Sequence, residues 1–198
     1  MSQHYYSQQP DARHDRRTIN TVLRGKDLRF TSDAGVFSKG DIDYGSRVLI
    51  EAMIIPEGSD VLDVGCGYGP IGISAALLAP KGHVTMLDIN SRAVELAREN
   101  ALHNGIRNVT VMESDVLSAL EGQKFDVILT NPPIRAGKAI VHQIFEEAYE
   151  HLKEGGTLWV VIQKKQGAPS AAAKLESLFP IVEEAGKDKG YRIMRARK

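Results

Sequence analysis

Residues 131–138 read NPPIRAGK and follow directly on the apolar run FDVILT. Proline cannot donate to a sheet, so a strand must stop there. Pro132 forces Asn131 into an extended backbone, and Pro133 does the same to Pro132. The outcome is a stiff turn carrying two hydrogen-bond acceptors, the Asn131 side-chain oxygen and the Pro132 carbonyl. A pair of this kind suits a planar amine, which is a poor nucleophile because its lone pair is delocalised. Gripping both N–H groups holds the nitrogen in place and favours its pyramidalisation. The chemistry this implies is group transfer to nitrogen, where alignment alone can supply much of the barrier reduction. The plainer reading is a proline stop after an edge strand.

The residues around this turn extend the same argument. Ile134 offers an aliphatic face to a base but forfeits aromatic stacking, worth about 1–3 kcal/mol per base. Phe37, in GVFSKG, is a candidate to supply that surface. Arg135 and Lys138 stand near a helix start and suit anionic groups of a substrate. Both read equally well as plain surface charge.

A second constellation is DVLDVGCGYGPIG, which places Gly65, Gly67 and Gly69 between a strand and a helix, with Gly72 one turn on. Glycines there let the chain turn sharply and approach a ligand closely, and the helix that follows offers a positive N-terminus. GYGPIG also satisfies the G-x-G-x-x-G of a dinucleotide site. Asp88 closes the next strand at the right distance to bind ribose hydroxyls in either case. Two details favour S-adenosyl-L-methionine over a nicotinamide. Asp63, two residues before the first glycine, would repel a pyrophosphate but tolerate a ligand with an amino-acid end and a sulfonium. Asp115, in ESDV, is placed to face an adenine amino group. Either aspartate also serves as a turn residue or helix cap in a purely structural reading.

These groups need a scaffold, and the chain of 198 residues is long enough for one domain with a real core. Apolar residues make up 42% and charged residues 25%, as in an ordinary soluble globular protein. No apolar stretch approaches a membrane span, and the polar start MSQHYYSQQPDARHDRR lacks an apolar signal core. The single cysteine, Cys66, excludes an internal disulfide and fits a reducing cytoplasm. Cysteine and histidine spacing gives no metal site. Net charge is zero, against a surface that coats nucleic acid, although KDKGYRIMRARK at the C-terminus holds six basic residues and one acidic. That run is read either as a solvated end or as a phosphate contact.

Short apolar runs alternate with amphipathic ones from DVLDVG onward. Strands are expected at DVLDVG, HVTMLDI, NVTVMES, FDVILT and TLWVVIQ. Helices are expected at PIGISAALLA, SRAVELARENALHN, KAIVHQIFEEAYEHL and SAAAKLESLF. Strands this apolar belong to a parallel sheet covered on both faces, and right-handed crossovers make it doubly wound. PIVEEAG and YRIMRAR have no helix between them and form an antiparallel edge hairpin. Upstream, TINTVL and LRFTSD pair around RGKD as a short N-terminal β-hairpin, and YGSRVLIEAMI is helical. The expected fold is therefore α/β, Rossmann-like and mostly parallel. The expected division is a polar, flexible segment over 1–17 and a single domain over 18–198.

DVLDVGCGYGPIG, LDIN, ESDV and NPPIRAGK together resemble class I S-adenosylmethionine-dependent methyltransferases. With GVFSKGDIDYGSRVLI, the chain is similar more narrowly to the "methyltransferase small" group over about residues 28–195. That group includes small-subunit ribosomal RNA guanine-N2 methyltransferases. The resemblance implies the class I methyltransferase fold and S-adenosyl-L-methionine as cofactor. It implies cofactor contacts from Asp63, Gly65, Cys66, Gly67, Gly69, Asp88, Ile89, Asp115, Val116 and Asn131. Asp63, Gly65 and Gly67 would line the methionine end, Asp88 the ribose and Asp115 the adenine. Asn131, Pro132, Pro133 and Ile134 become the catalytic turn, with Phe37, Arg135 and Lys138 facing substrate. The group's turn usually has an aromatic residue fourth, so Ile134 is a departure. The implied substrate is ribosomal RNA or a ribosomal subunit, with no membrane and no metal. Protein glutamine and DNA adenine methyltransferases share Asn-Pro-Pro, which keeps those acceptors open. So does a non-catalytic cofactor- or RNA-binding module.

Overall fold

The computed structural model describes residues 6–198; residues 1–5 of the expected flexible segment lie outside them. β1 (Arg17–Leu23) and β2 (Lys26–Ser32) form a separate antiparallel hairpin, followed by α1 (Tyr44–Ala52). Then come β3 (Asp60–Val64), α2 (Pro70–Leu78), β4 (His83–Asp88), α3 (Ser91–His103), β5 (Val109–Glu113) and β6 (Phe125–Thr130). The chain ends with α4 (Lys138–His151), β7 (Leu152–Gln163), α5 (Ala168–Leu178), β8 (Ile181–Asp188) and β9 (Tyr191–Arg197).

The seven-stranded sheet has the order β5-β4-β3-β6-β7-β9-β8. Its first five strands are parallel, while β9 runs antiparallel to both β7 and β8. The expected edge hairpin is therefore present, with its second strand inserted next to β7. Alternate side chains of each strand enter opposite cores, as the period of two demands. Val61, Val127, Leu129, Trp159 and Val161 join the core beneath α1–α3. Leu62, Val64, Ile128, Leu158 and Val160 join the core beneath α4 and α5. This double burial is why the strands read as continuous apolar runs.

β7 starts at Leu152 rather than at Thr157. Phe125 pairs with Leu152 and Val127 with Thr157, so an irregularity spans Lys153–Gly156, where Gly155 has φ +77°. Gly72 is needed for packing: a Cβ there would lie 2.1 Å from the Met86 sulfur, so α2 rests directly on β4. On α3, Asn100 and Asn104 each exchange two hydrogen bonds with the β2 backbone, at Thr31 and Arg29. The amides replace a missing neighbour strand and dock the hairpin.

From β3 the chain winds outward through β4 to β5, then crosses back to β6 on the other side of β3. The order switches between β3 and β6, the place where doubly wound sheets bind ligands beyond the carboxyl ends. The glycine loop leaves β3 there, and Asn131 leaves β6 there. β6 lies between β3 and β7, so a stop at an edge strand does not explain the two prolines.

Candidate active site

A cleft opens at this switch point. Val64, Gly65, Gly67, Asp88, Ile89 and Val116 line one side, and Asn131, Pro132 and Pro133 the other. The glycine loop is clamped from behind, with the Gly65 and Cys66 amides both donating to the Leu87 carbonyl at 2.8 Å. Gly65 and Gly67 have φ of +73° and +56°, and no atom lies within 4 Å of where a Cβ would stand. These two positions form an open cradle that larger residues would fill. Gly69 caps α2 with φ +106° and packs towards Ile73 and Ala97, and Cys66 is buried behind the loop. Neither of these two lines the cleft.

Asp88 fixes the loop and the start of α3 together. Its carboxylate accepts from the Gly67 amide at 2.8 Å and from the Asn90 amide at 2.9 Å. Burial outweighs these bonds and pushes its pKa up to about 6. Asn90 then caps α3 through Arg92 and Ala93, and its own amide reaches the Gly35 carbonyl at 2.7 Å. The loop over 33–43 is thus tied to the cleft, and the Tyr68 hydroxyl adds bonds to the Ser38 and Asp41 carbonyls. Phe37 projects from that loop and borders the cleft close to Asn131.

Asp63 is fully buried behind the glycine loop, against Gly72 and Met86, and outside the cleft lining. Neither carboxyl oxygen has a hydrogen-bond partner among the described residues, although the Gly72 amide is directed at it. Burial drives its pKa to about 8, with the Asp88 carboxylate adding to the rise. Asp115 is exposed beside the cleft; its neighbours Ser114 and Val116 are the ones that line it.

Asn131 donates through Nδ2 to Asp43 Oδ2 at 2.9 Å and to Ser46 Oγ at 3.0 Å. A carboxylate can only accept, so this contact fixes which way the amide faces. Both amide hydrogens are consumed, and Oδ1 is left without a partner among the described residues. The Pro132 carbonyl likewise receives no backbone hydrogen bond among them, whereas that of Pro133 accepts from Ala136 at 2.9 Å. Two acceptors therefore remain open on a turn whose donors are satisfied. The Thr130 hydroxyl donates to the Val64 carbonyl at 3.0 Å and ties this strand end to the glycine loop.

Ile134 departs from its expected place. It borders a groove between α4 and α5, with Val141 and Ala171, and packs on the core of that face. Arg135 and Lys138 are exposed at the start of α4. Asp43, Ser46 and Tyr6 were not singled out from the sequence. Asp43 and Ser46 stand as D-x-x-S before a helix and read as an ordinary cap; their link to Asn131 spans more than eighty residues. Tyr6 borders the cleft because residues 6–16 are docked. Gln8 bonds Glu113 at 3.0 Å, its carbonyl takes the Ser91 amide at 3.0 Å, and Arg16 pairs with Glu99. Among the described residues no cluster is suited to a metal ion, and no helix is long and apolar enough to cross a membrane.

A cradle of open glycines and the Asp88 carboxylate face an open acceptor pair across the switch point of a class I methyltransferase fold. The match of a family model extends this over residues 27–195, and the chain belongs to the methyltransferase small domain family. An uncharacterized Bacillus subtilis protein, YbxB, is 55% identical over the whole of both chains. Ribosomal RNA large subunit methyltransferase G of Pseudomonas putida is 36% identical over 86% of this chain and 46% of its own length. Ribosomal RNA small subunit methyltransferase C of Haemophilus influenzae is 33% identical over 85% of this chain and 52% of its own. The chain thus spans about half the length of these methyltransferase relatives. Among solved structures, a T. thermophilus 16S rRNA N2 methyltransferase (RsmC) in complex with AdoMet and guanosine superposes with TM-score 0.82. It is 27% identical, and the match covers 92% of this chain and 50% of that one.

Proposed function

We propose that the protein is an S-adenosylmethionine-dependent N-methyltransferase acting on an exocyclic amine of a base in ribosomal RNA, guanine N2 above all. The observation that carries this reading is Asn131: it lines the cleft, its amide nitrogen is spent on Asp43 and Ser46, and its oxygen has no partner among the described residues. The family and the guanosine bound by the T. thermophilus relative support the same acceptor.

The residues fit the cofactor. Gly65 and Gly67 leave backbone room for its methionine end, and Asp88 retains lone pairs for ribose hydroxyls beyond the amides it already accepts. Ile89 and Val116 supply apolar walls for the adenine. Bound, the cofactor supplies an electrophilic methyl on a sulfonium. Across the cleft, Asn131 Oδ1 and the Pro132 carbonyl accept the two N–H groups of the base and turn the nitrogen lone pair towards that methyl. The N–C bond forms as the S–C bond breaks, and positive charge passes from sulfur to nitrogen. The methylated amine is then acidic enough to release a proton to water, so the turn needs no general base. Phe37 offers a ring face to the base on the side where Ile134 does not reach.

The test offers a labelled methyl donor to ribosomal RNA, DNA and release-factor protein in parallel, with wild type and Asn131→Ala. Label should enter RNA amines, and Asn131→Ala should lower that rate about 100-fold, the scale of losing one positioned polar contact. Cofactor affinity should stay within about twofold. Undiminished RNA methylation by Asn131→Ala would remove the acceptor-pair mechanism, and label entering only DNA or protein would replace the substrate.

A further inference from the structure

The basic C-terminal run divides in space. β9 is antiparallel to β7, so Tyr191 pairs with Gln163 at the cleft end of the sheet and Arg197 with Thr157 at the far end. At the far end Arg195 pairs with Glu183 and lies over Trp159, and Lys198 bonds the Tyr149 and Leu152 carbonyls. At the cleft end, Lys187 lies near the end of β8 opposite Arg192 of β9, and Lys189 stands in the turn over the Tyr44 ring. The turn after β7 brings Lys164 and Lys165 beside them, the Lys164 amide donating to the Gly190 carbonyl at 2.8 Å.

Four of these cations, Lys164, Lys187, Lys189 and Arg192, line one groove in a chain of zero net charge, and Lys165 follows Lys164 in sequence. The two carboxylates there are occupied, Glu184 by Arg192 and Asp188 by the Tyr44 hydroxyl. Lys164, Lys165 and Lys187 are exposed and have no ion pair among the described residues. Elsewhere Lys39, Lys81, Lys153 and Lys174 face carboxylates, whereas Lys26, Lys124 and Lys138 lie apart from one another, likewise without an ion pair among the described residues. The groove is also rigidly joined to the acceptor pair. The Tyr191 ring sits where a Cβ on Gly45 would lie 2.8 Å away, and it packs on Tyr44 with centroids 5.8 Å apart. Tyr44 and Gly45 follow Asp43, which holds Asn131.

We infer that this groove, walled by Lys164, Lys187 and Lys189 with Tyr191 at its base and the exposed Lys165 next to Lys164, takes the phosphates of the RNA strand flanking the target base. The inference rests on the RNA reading above and places the strand on the β7-β9-β8 side, opposite the cofactor. Unpaired lysines at a fixed distance from the reacting nitrogen position a polyanion without reading its sequence.

The experiment compares wild type with Lys164→Ala/Lys165→Ala/Lys187→Ala, and with Arg197→Ala at the far end as control. Binding to ribosomal RNA purified from cells lacking the protein is measured from about 50 to 200 mM salt, alongside methyl transfer and cofactor affinity. Three lost phosphate contacts should reduce the salt slope by about 2–3, at roughly 0.7–0.9 per contact. Over that fourfold range the wild type should lose about 20- to 40-fold more affinity than the triple variant. KM for RNA should rise, with cofactor affinity and melting temperature unchanged and Arg197→Ala like wild type. Equal slopes for wild type and triple variant overturn the groove, whatever becomes of methylation. A slope that falls as expected without methyl transfer to RNA keeps the groove and overturns the proposed reaction. No RNA binding by wild type overturns both.

Discussion

Asp43 serves two masters with one oxygen. Its Oδ2 accepts the Ser46 amide at 3.0 Å, capping α1, and the Asn131 amide at 2.9 Å. The two tasks separate by substitution, because serine also caps helices well whereas its short hydroxyl falls short of Asn131. Asp43→Ser should hold stability within about 0.5 kcal/mol, while Asp43→Ala should lose about 1 kcal/mol with the cap. Both should lower kcat for methyl transfer about tenfold, since an amide held by Ser46 alone can rotate its oxygen out of line. Asp43 is in this sense a positioning residue, and cofactor affinity should not move. Urea unfolding and single-turnover kinetics on the pair of variants provide the check. A kcat for Asp43→Ser equal to wild type would show that Ser46 and the proline-stiffened backbone orient the acceptor pair without Asp43. The sequence displayed Asn-Pro-Pro and a cap separately; only the fold reveals that one carboxylate joins them.

At the scale of elements, the parallel sheet was legible because burial on both faces writes an unmistakable apolar run into each strand. FDVILT is β6 to the residue, and both hairpins fall where their turn residues place them. The early start of β7 was hidden because KEGG reads as a turn, and a glycine-bearing irregularity lets it remain in the strand. The N-terminal segment was illegible for another reason: its contacts are polar and distant, so no periodicity announces them. From Tyr6 it crosses the ends of β4 and β5, held by Gln8 to Glu113 and Ser91, by Arg92 to the Pro10 carbonyl, and by His14 to Asp33. This brings the Tyr6 hydroxyl near Asp88, Asp115 and Glu147, on the cofactor half of the cleft. With the cofactor bound as proposed, an aromatic ring there would cover its adenosine end. Tyr6→Ala should therefore weaken cofactor binding about tenfold, the scale of one base–aromatic stack, while Tyr6→Phe should leave it within about twofold. Calorimetric titration with S-adenosylhomocysteine distinguishes these outcomes, and a Tyr6→Ala isotherm matching wild type would make the segment a cover without a binding role.

For the molecule as a whole, two carboxyl groups are sunk into neighbouring strands of the sheet, Asp63 on β3 and Asp88 at the end of β4. Concentrating carboxyl groups in the apolar interior has a consequence for folding. Asp63 has a folded pKa of about 8 and Asp88 of about 6, both above the ordinary carboxyl value of 3.8. Between pH 4 and 8 the folded state therefore holds protons that the unfolded state has released, so stability must fall as pH rises. Each pH unit with one extra folded-state proton is worth about 1.4 kcal/mol, and from pH 6 to 8 Asp63 alone should remove roughly 2 kcal/mol. At the acid end the sign reverses. Asp33 has its carboxyl lowered by His14 and by the Asp15 and Ala34 amides, against its own desolvation, so its contribution disappears as pH drops below 3.8. The cofactor-free protein should therefore be most stable near pH 4–5, lower than for most domains. Asp63→Asn keeps the shape and cannot titrate, so its urea midpoint should change little from pH 6 to 8 while that of wild type falls. Parallel pH profiles for the two proteins would mean that the buried Asp63 carboxyl is not the group that carries the proton.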